Sequence, residues 1–227
     1  WKNNCFNKRN YKKIWYKTKF RVLPRCFGNY EVYGDKFNSF ELDEICISNS
    51  TLSFKDYLEC RDFDLTVEIG YNSGVFRELI NFLRFNEVQP STFIFHMGKI
   101  LPKNMSDVFE EFRRETEGSV WESKEELKKF LNLPENIAKG DFYREFRVNE
   151  IYAARAQVFF KKMKNLHDIV FEEARNILSK SKEKDIYLKE LYDFSLARKD
   201  NLILDKTEIK EFHFDFIELE KTNFNND

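Results

Sequence analysis

Glycine and proline are scarce in this chain of 227 residues, at 7 and 4. Glycine supplies the positive-φ turns of barrels, sandwiches and phosphate loops, so the shortage disfavours those folds and the nucleotide-binding sheets that depend on them. No GxSxG elbow, GxxxxGK[ST] loop or GxGxxG turn occurs, which removes the main warrants for a hydrolase, a phosphate-loop enzyme or a dinucleotide-binding enzyme. Cys5, Cys26, Cys46 and Cys60 lack the close spacing of a zinc site, a redox CxxC or a cluster-binding CxxxCxxC. His96, His167 and His213 do not lie at i, i+3 or i+4 from one another, so a HExxH zinc helix and an ExxH di-iron pair are both missing and no metal ligand is expected. No apolar run approaches the ~18 residues of a membrane span and no h-region stands near the start. A reduced, cytoplasmic location with no membrane span is expected. Asn49-Ser50-Thr51 and Asn104-Met105-Ser106 match the glycosylation sequon, but without a secretory signal they read as chance matches. The chain opens at Trp1, so it is expected to be cut from something longer.

What remains is a core-forming, highly charged composition. Hydrophobic residues make up 42% and charged residues 34%, and phenylalanine alone contributes 25 positions. Each buried ring stabilises by roughly 1.5–3 kcal/mol of transfer free energy. The reading is a mainly α fold: a helical domain with a short N-terminal β-containing connector and a C-terminal strand. By composition and periodicity it divides into a basic connector over 1–52, a helical domain over 53–204 and an acidic tail over 205–227.

The net charge of -1 hides a polarity. Residues 1–30 carry nine basic side chains (Lys2, Lys8, Arg9, Lys12, Lys13, Lys17, Lys19, Arg21 and Arg25) and no acid, leaving 29 basic against 39 acidic residues in the rest. Phe6, Tyr11, Trp15, Tyr16, Phe20, Phe27 and Tyr30 are interleaved with that run. Cations for phosphates and rings for bases would suit a nucleic acid, and a basic surface strip docked on the acidic remainder accounts for the same pattern.

Between Lys19 and Ser48 the pattern is strand-like, with short segments punctuated at Phe27-Gly28-Asn29 and Tyr33-Gly34-Asp35. Helical periodicity follows. Ser53 with Asp56 three residues on resembles a capping arrangement, and the helix it opens ends at Asn72-Ser73-Gly74. Further helices are expected over Val75–Arg84, from Pro90 to a stop at Pro102, from Ser106, and from a capping box at Ser123-Lys124-Glu125-Glu126 to a stop at Pro134. One long helix is expected over Asn149–Leu178, carrying His167 as a packed or surface residue, and another over Ile186–Arg198. Alternation of Phe212, Phe214 and Phe216 points to a terminal strand.

Acid pairs such as Glu110-Glu111 and Glu172-Glu173 read as solvated helix faces. Opposite charges gather at the change from strand to helix: Arg21 and Arg25, Glu41 and Glu44, then Asp56 and Arg61. Of these, Arg25, Glu41, Asp56 and Arg61 are the substrate-facing candidates, with structural ion pairing as the competing reading. No catalytic or cofactor-binding residue is assigned.

The run KTKFRVLPRCFGNYEVYGDKFNSFELDEICISNSTLSFKDYLECRDFDLTVEIGYNSGVFREL resembles the stretch that follows the catalytic barrel in radical S-adenosylmethionine enzymes carrying an N-terminal cobalamin-binding domain. LYDFSLARKDNLIL and HFDFIEL resemble the end of the same C-terminal region, while Val88 to Asp185 matches only in helical character. The family's cluster motif CxxxCxxC and its cobalamin signature DxHxxG are missing. The resemblance therefore implies an accessory, substrate-shaping region without catalytic ligands. Its partners would be an upstream radical barrel and a cobalamin-binding domain, and the 4Fe-4S cluster, S-adenosylmethionine and cobalamin would be held there. The substrate is not indicated. The runner-up is a nucleic-acid-binding helical module using the basic aromatic strip, followed by a plain helical interaction module.

Overall fold

The structure is a computed structural model and describes residues 15–138, 149–179, 181–200 and 209–222. The basic residues Lys2, Lys8, Arg9, Lys12 and Lys13, with Phe6 and Tyr11, lie outside the described residues. The chain is mainly α-helical with one antiparallel β-ribbon at its N-terminal end. No helix among the described residues is long and apolar enough to cross a membrane.

The ribbon is a single hairpin of β1 (Lys17–Val32) and β2 (Asp35–Ser48) instead of several short segments. Its two-residue turn, Tyr33-Gly34, has φ of 54° and 90°. Two successive positive-φ residues make the mirror-image turn whose twist matches that of paired strands. Phe27-Gly28-Asn29, expected as a turn, lies inside β1. Val22 pairs with Leu42 and Phe27 with Phe40, so Leu23-Pro24-Arg25-Cys26 bulge opposite Glu41. Pro24 has no N–H for a ladder bond, and the bulge takes it out of the ladder.

Among the described residues the helices are α1 (Phe54–Val67), continued by a π-turn over Glu68–Asn72, then α2 (Arg77–Phe85), α3 (Pro90–Asn104), α4 (Ser106–Gly118), α5 (Lys124–Leu131), α6 (Pro134–Ala138), α7 (Glu150–Lys161), α8 (Met163–Ile177), α9 (Lys182–Asp200) and α10 (Phe216–Lys221). The helix from the Ser123 box ends before Pro134 as expected, but Pro102 does not act as a stop. Pro102 lies inside the last turn of α3, where it removes one donor. Asn104 Nδ2 donates to the Ile100 carbonyl at 2.9 Å and the Met105 N–H to Leu101 at 2.9 Å, so the turn closes without it. Pro134 opens α6, where a missing N–H costs nothing.

The expected long helix over Asn149–Leu178 is two. Ala154 and Val158 face inward from α7, and the next position on that stripe would be Lys162. Instead the backbone departs from helical geometry there, at φ -135° and ψ 19°, and α8 restarts with Met163, Leu166, Val170 and Ala174 buried. The break turns an amine outward, where Lys162 Nζ meets Asp107 at 2.5 Å. The expected terminal strand is also absent. Phe212 and Phe214 precede a short helix, and Asp215 caps it by accepting from the Glu218 N–H at 3.0 Å.

By compactness the chain falls into two units, Trp1–Arg61 with Glu110–Ala153 and Asp62–Phe109 with Ala154–Asp227, whose boundaries fall within α1, α4 and α7. In the first unit Val22 and Phe27 of the ribbon pack with Leu127 and Leu131 of α5. Trp121 is a one-residue third strand there, exchanging both backbone bonds with Phe20 at 2.8 and 2.7 Å. In the second unit α2, α3, α8 and α9 bury Leu79, Leu83, Phe93, Met97, Leu166 and Leu191.

His167 is fully buried in that second core, its ring 4.9 Å from that of Phe76. Nδ1 lies 3.0 Å from the Met163 carbonyl, which can only accept, so Nδ1 carries the proton. Nε2 then accepts from the Ser195 hydroxyl at 3.1 Å. Ser195→Ala leaves that lone pair buried without its donor and is expected to lower stability by about 1–3 kcal/mol, measured as a shift of the urea midpoint at unchanged slope.

Candidate functional site

The strand-to-helix junction is built by short-range hydrogen bonding. Asn49 Oδ1 accepts from the Thr51 and Leu52 N–H groups at 2.9 and 3.0 Å, and the Asn49 N–H donates to the Leu52 carbonyl at 2.7 Å. This Asx turn gives Asn49 and Thr51 a structural role. It reverses the chain. Ser53 and Asp56 then form a reciprocal cap: the Asp56 N–H donates to Ser53 Oγ at 3.1 Å, while the Ser53 N–H and hydroxyl donate to Asp56 Oδ2 at 2.8 and 2.7 Å. The arrangement satisfies orphan donors at the start of α1.

Several charged residues around this junction go to separate partners. Asp56 belongs to the cap. Arg61 lies 3.9 Å from Glu150, both side chains being 14% exposed, and its guanidinium stands 5.5 Å from the centre of the Phe112 ring. Glu41 is exposed on β2, and Arg25 occupies the β1 bulge at the register position opposite it. Arg21 meets Asp43 across the ribbon at 3.5 Å, and Thr18 donates to Glu44 at 2.7 Å. Lys19 is held by Glu122 at 2.9 Å and lies 5.6 Å from the Phe54 ring centre. Asp56 and Arg61 are thus engaged with different groups and not with one another. Two cations of the basic strip, Lys19 and Arg21, pair with surface carboxylates of the same chain.

A second polar constellation, which sequence reasoning did not assemble, lies in the other unit. Glu78 of α2 is 5% exposed and accepts from Arg198 at 2.8 Å, with Lys199 Nζ at 3.5 Å. Burial, reinforced by the Glu78 charge, pushes the Tyr187 hydroxyl far above its ordinary pKa and keeps it protonated. Burial works to raise the pKa of Asp168, but hydrogen bonds from Lys164 and the Tyr192 hydroxyl outweigh it and hold the carboxyl below the usual range. Glu68, in the π-turn, is bound by Arg155 of α7. Apart from Lys164 and Asp168, four residues apart on α8, these pairs lie more than seventy residues apart in the chain or on helices whose facing surfaces a single sequence does not reveal. Only the weak segregation of polar and apolar residues along α9 hints that its inward side is polar.

The Ser195–His167 hydrogen bond has the donor and acceptor order of an activated serine. Both groups are sealed in the core, Ser195 at 2% exposure, and the bond serves the packing. Among the described residues no group of three or more His, Cys, Asp or Glu could hold a metal ion. No protein family, curated protein or solved structure matches the chain.

Two measurements test this junction. Hydrogen bonds from the Ser53 hydroxyl and amide hold the Asp56 carboxyl below its ordinary value of 3.8. The unfolded chain therefore takes up this proton first. The contribution is complete at neutral pH and is lost as pH falls through about 4 and below. Asp56→Asn should shrink the difference in urea midpoint between neutral and acid solution relative to the parent chain. Arg61→Ala leaves Glu150 with a largely buried charge and no cation at 3.9 Å, and should cost about 3–5 kcal/mol in the same assay.

Proposed function

We propose that this chain is the C-terminal accessory region of a cobalamin-dependent radical S-adenosylmethionine enzyme, where it closes the barrel and shapes access of the substrate. The observation that carries this reading is where the resembling stretches fall. The first contains the Asx turn and cap at Asn49–Asp56, the π-turn residue Glu68 and the buried Glu78. LYDFSLARKDNLIL contains Tyr192, Ser195 and Arg198, the donors to Asp168, His167 and Glu78. HFDFIEL contains the segment bound to α9 through His213 and Glu190. The resemblance thus coincides with residues that specify a fold, as expected of a supporting region.

Cys26, Cys46 and Cys60 stand on β1, β2 and α1 as free thiols, and the described residues offer no metal-ligand group. They do not fit an iron–sulfur cluster, and no step of radical chemistry is derived from them. The part left to this chain is positional. Among the candidates, Arg61 is the cation whose guanidinium is fixed by packing, against the Phe112 ring and near Glu150, and its contact with a substrate is the point to test.

The reading frame decides the matter. An in-frame CxxxCxxC upstream of the Trp1 codon is the expected result. A start codon at or just before Trp1, with no such motif encoded nearby, overturns the proposal. The chain alone should develop no visible absorbance after reconstitution with iron and sulfide or with a corrin. In the complete enzyme, Arg61→Ala is expected to lower turnover beyond the loss of folded protein if Arg61 touches substrate. Activity that merely tracks the folded fraction assigns it to structure alone.

A further inference from the structure

We propose that the face of α9 formed by Tyr187, Glu190 and Phe194 is a peptide-docking surface, that residues 212–216 occupy it in cis, and that its partner in trans is a segment with aromatic residues at alternate positions that bends at its centre as residues 213 and 214 do. This inference stands apart from the functional reading above.

The contacts of the segment are those of a bound peptide. Phe212 meets Phe194 edge-on at 5.6 Å, Phe214 meets Tyr187 at 4.9 Å, and Phe216 lies between Tyr187 at 5.3 Å and Phe194 at 4.8 Å. Between the rings, Glu190 receives the His213 N–H at 2.8 Å and pairs with the His213 ring at 2.6 Å. A carboxylate that captures one main-chain N–H between aromatic anchors fixes register as well as affinity. The outward side of the segment stays in solvent, with His213 91% exposed and Ile209 92% exposed.

The platform is held by contacts in which the segment has no part. Tyr187 stacks on Phe82 of α2 at 4.2 Å, and Arg198, tied to Glu78, lies 5.3 Å from the Phe194 ring centre. Leu188 and Leu191 anchor the same helix in the core. A surface built this way persists when its occupant leaves, so little ordering is needed to bind again. Tyrosine, arginine and fully packed rings are also the side chains that concentrate binding energy at interfaces.

The occupant in cis competes with any partner. A short tether gives an effective concentration near the mM range, so a surface with an intrinsic Kd of about 10–100 μM would bind a free peptide roughly 10–100-fold more weakly in the intact chain. The probe is a fluorescent peptide of residues 209–222, titrated into the full chain and into full chains carrying Phe216→Ala or Phe214→Ala. Either folded variant should bind at least about tenfold more tightly than the parent. Adding Glu190→Ala should remove most of that gain, and a peptide with the same composition but no alternation of rings should not bind. A folded variant that binds no better than the parent overturns the proposal. So does loss of the folded state in both variants, which would make the segment an integral part of the unit.

Discussion

Glu78 sets the constraint on which the second unit turns. A carboxylate at 5% exposure has lost nearly all its water, and leaving it uncompensated would cost several kcal/mol. Arg198 and Lys199 supply the compensation from the last turn of α9, the end where a helix favours cations. The demand propagates along that helix. Lys199, Ser195 and Tyr192 recur at spacings of four and three, so one stripe of α9 carries donors to Glu78, His167 and Asp168 in turn. A helix with such a polar inner stripe shows little amphipathic contrast. Its amino-acid pattern understates how firmly it is held.

Much of the local structure was legible because it depends on residues close in the chain. Ser53 and Asp56 cap α1 as their spacing indicates, Ser123 accepts from the Glu126 N–H at 3.0 Å, and the Tyr33-Gly34 turn falls where expected. The misreadings have physical causes. Proline at 102 reads as a breaker, yet its effect depends on position within the turn, and the last turn of α3 tolerates a missing donor. The apolar stripe through Val158 and Met163 skips by five residues where a continuous helix needs three or four, and that slip was the readable sign of the break. In the tail, alternation of Phe212, Phe214 and Phe216 outweighed Asp215 followed by Glu218, which marks a helix start. A strand also needs a neighbour for its backbone. The rings found α9 instead.

The candidate residues show the limit of reading charge from order alone. Asp56 and Arg61 are neighbours along the sequence of the junction, but helical phase turns them to different partners. Asp56 faces back to Ser53 at the helix start. Arg61 lies five residues on, off the i+4 direction that would bring it over Asp56, and it meets Glu150 and Phe112 instead. Glu150 is distant in sequence and gave no local sign of the pairing. The same holds for Glu68 and Arg155. Polar pairs of this kind identify a fold more readily than a chemistry, because each requires two particular helices to meet.

Helical phase also explains how α9 serves two purposes. Tyr187, Glu190, Phe194 and Arg198 fall along one stripe, and Tyr192, Ser195 and Lys199 along another, displaced by about a third of a turn at 3.6 residues per turn. The donor stripe is fixed by the buried acceptors Glu78 on α2 and His167 on α8 and, at the surface, by Asp168. These bonds, with the stack of Tyr187 on Phe82, hold the rotation of the helix without help from residues 212–216. Rings mounted on a helix whose rotation is already determined form a rigid surface, and the bond from Arg198 to Glu78 joins the two stripes at their end. The carboxylate that the core must neutralise thus also holds the guanidinium beside Phe194, so that stabilising the interior and presenting the outer face are one interaction.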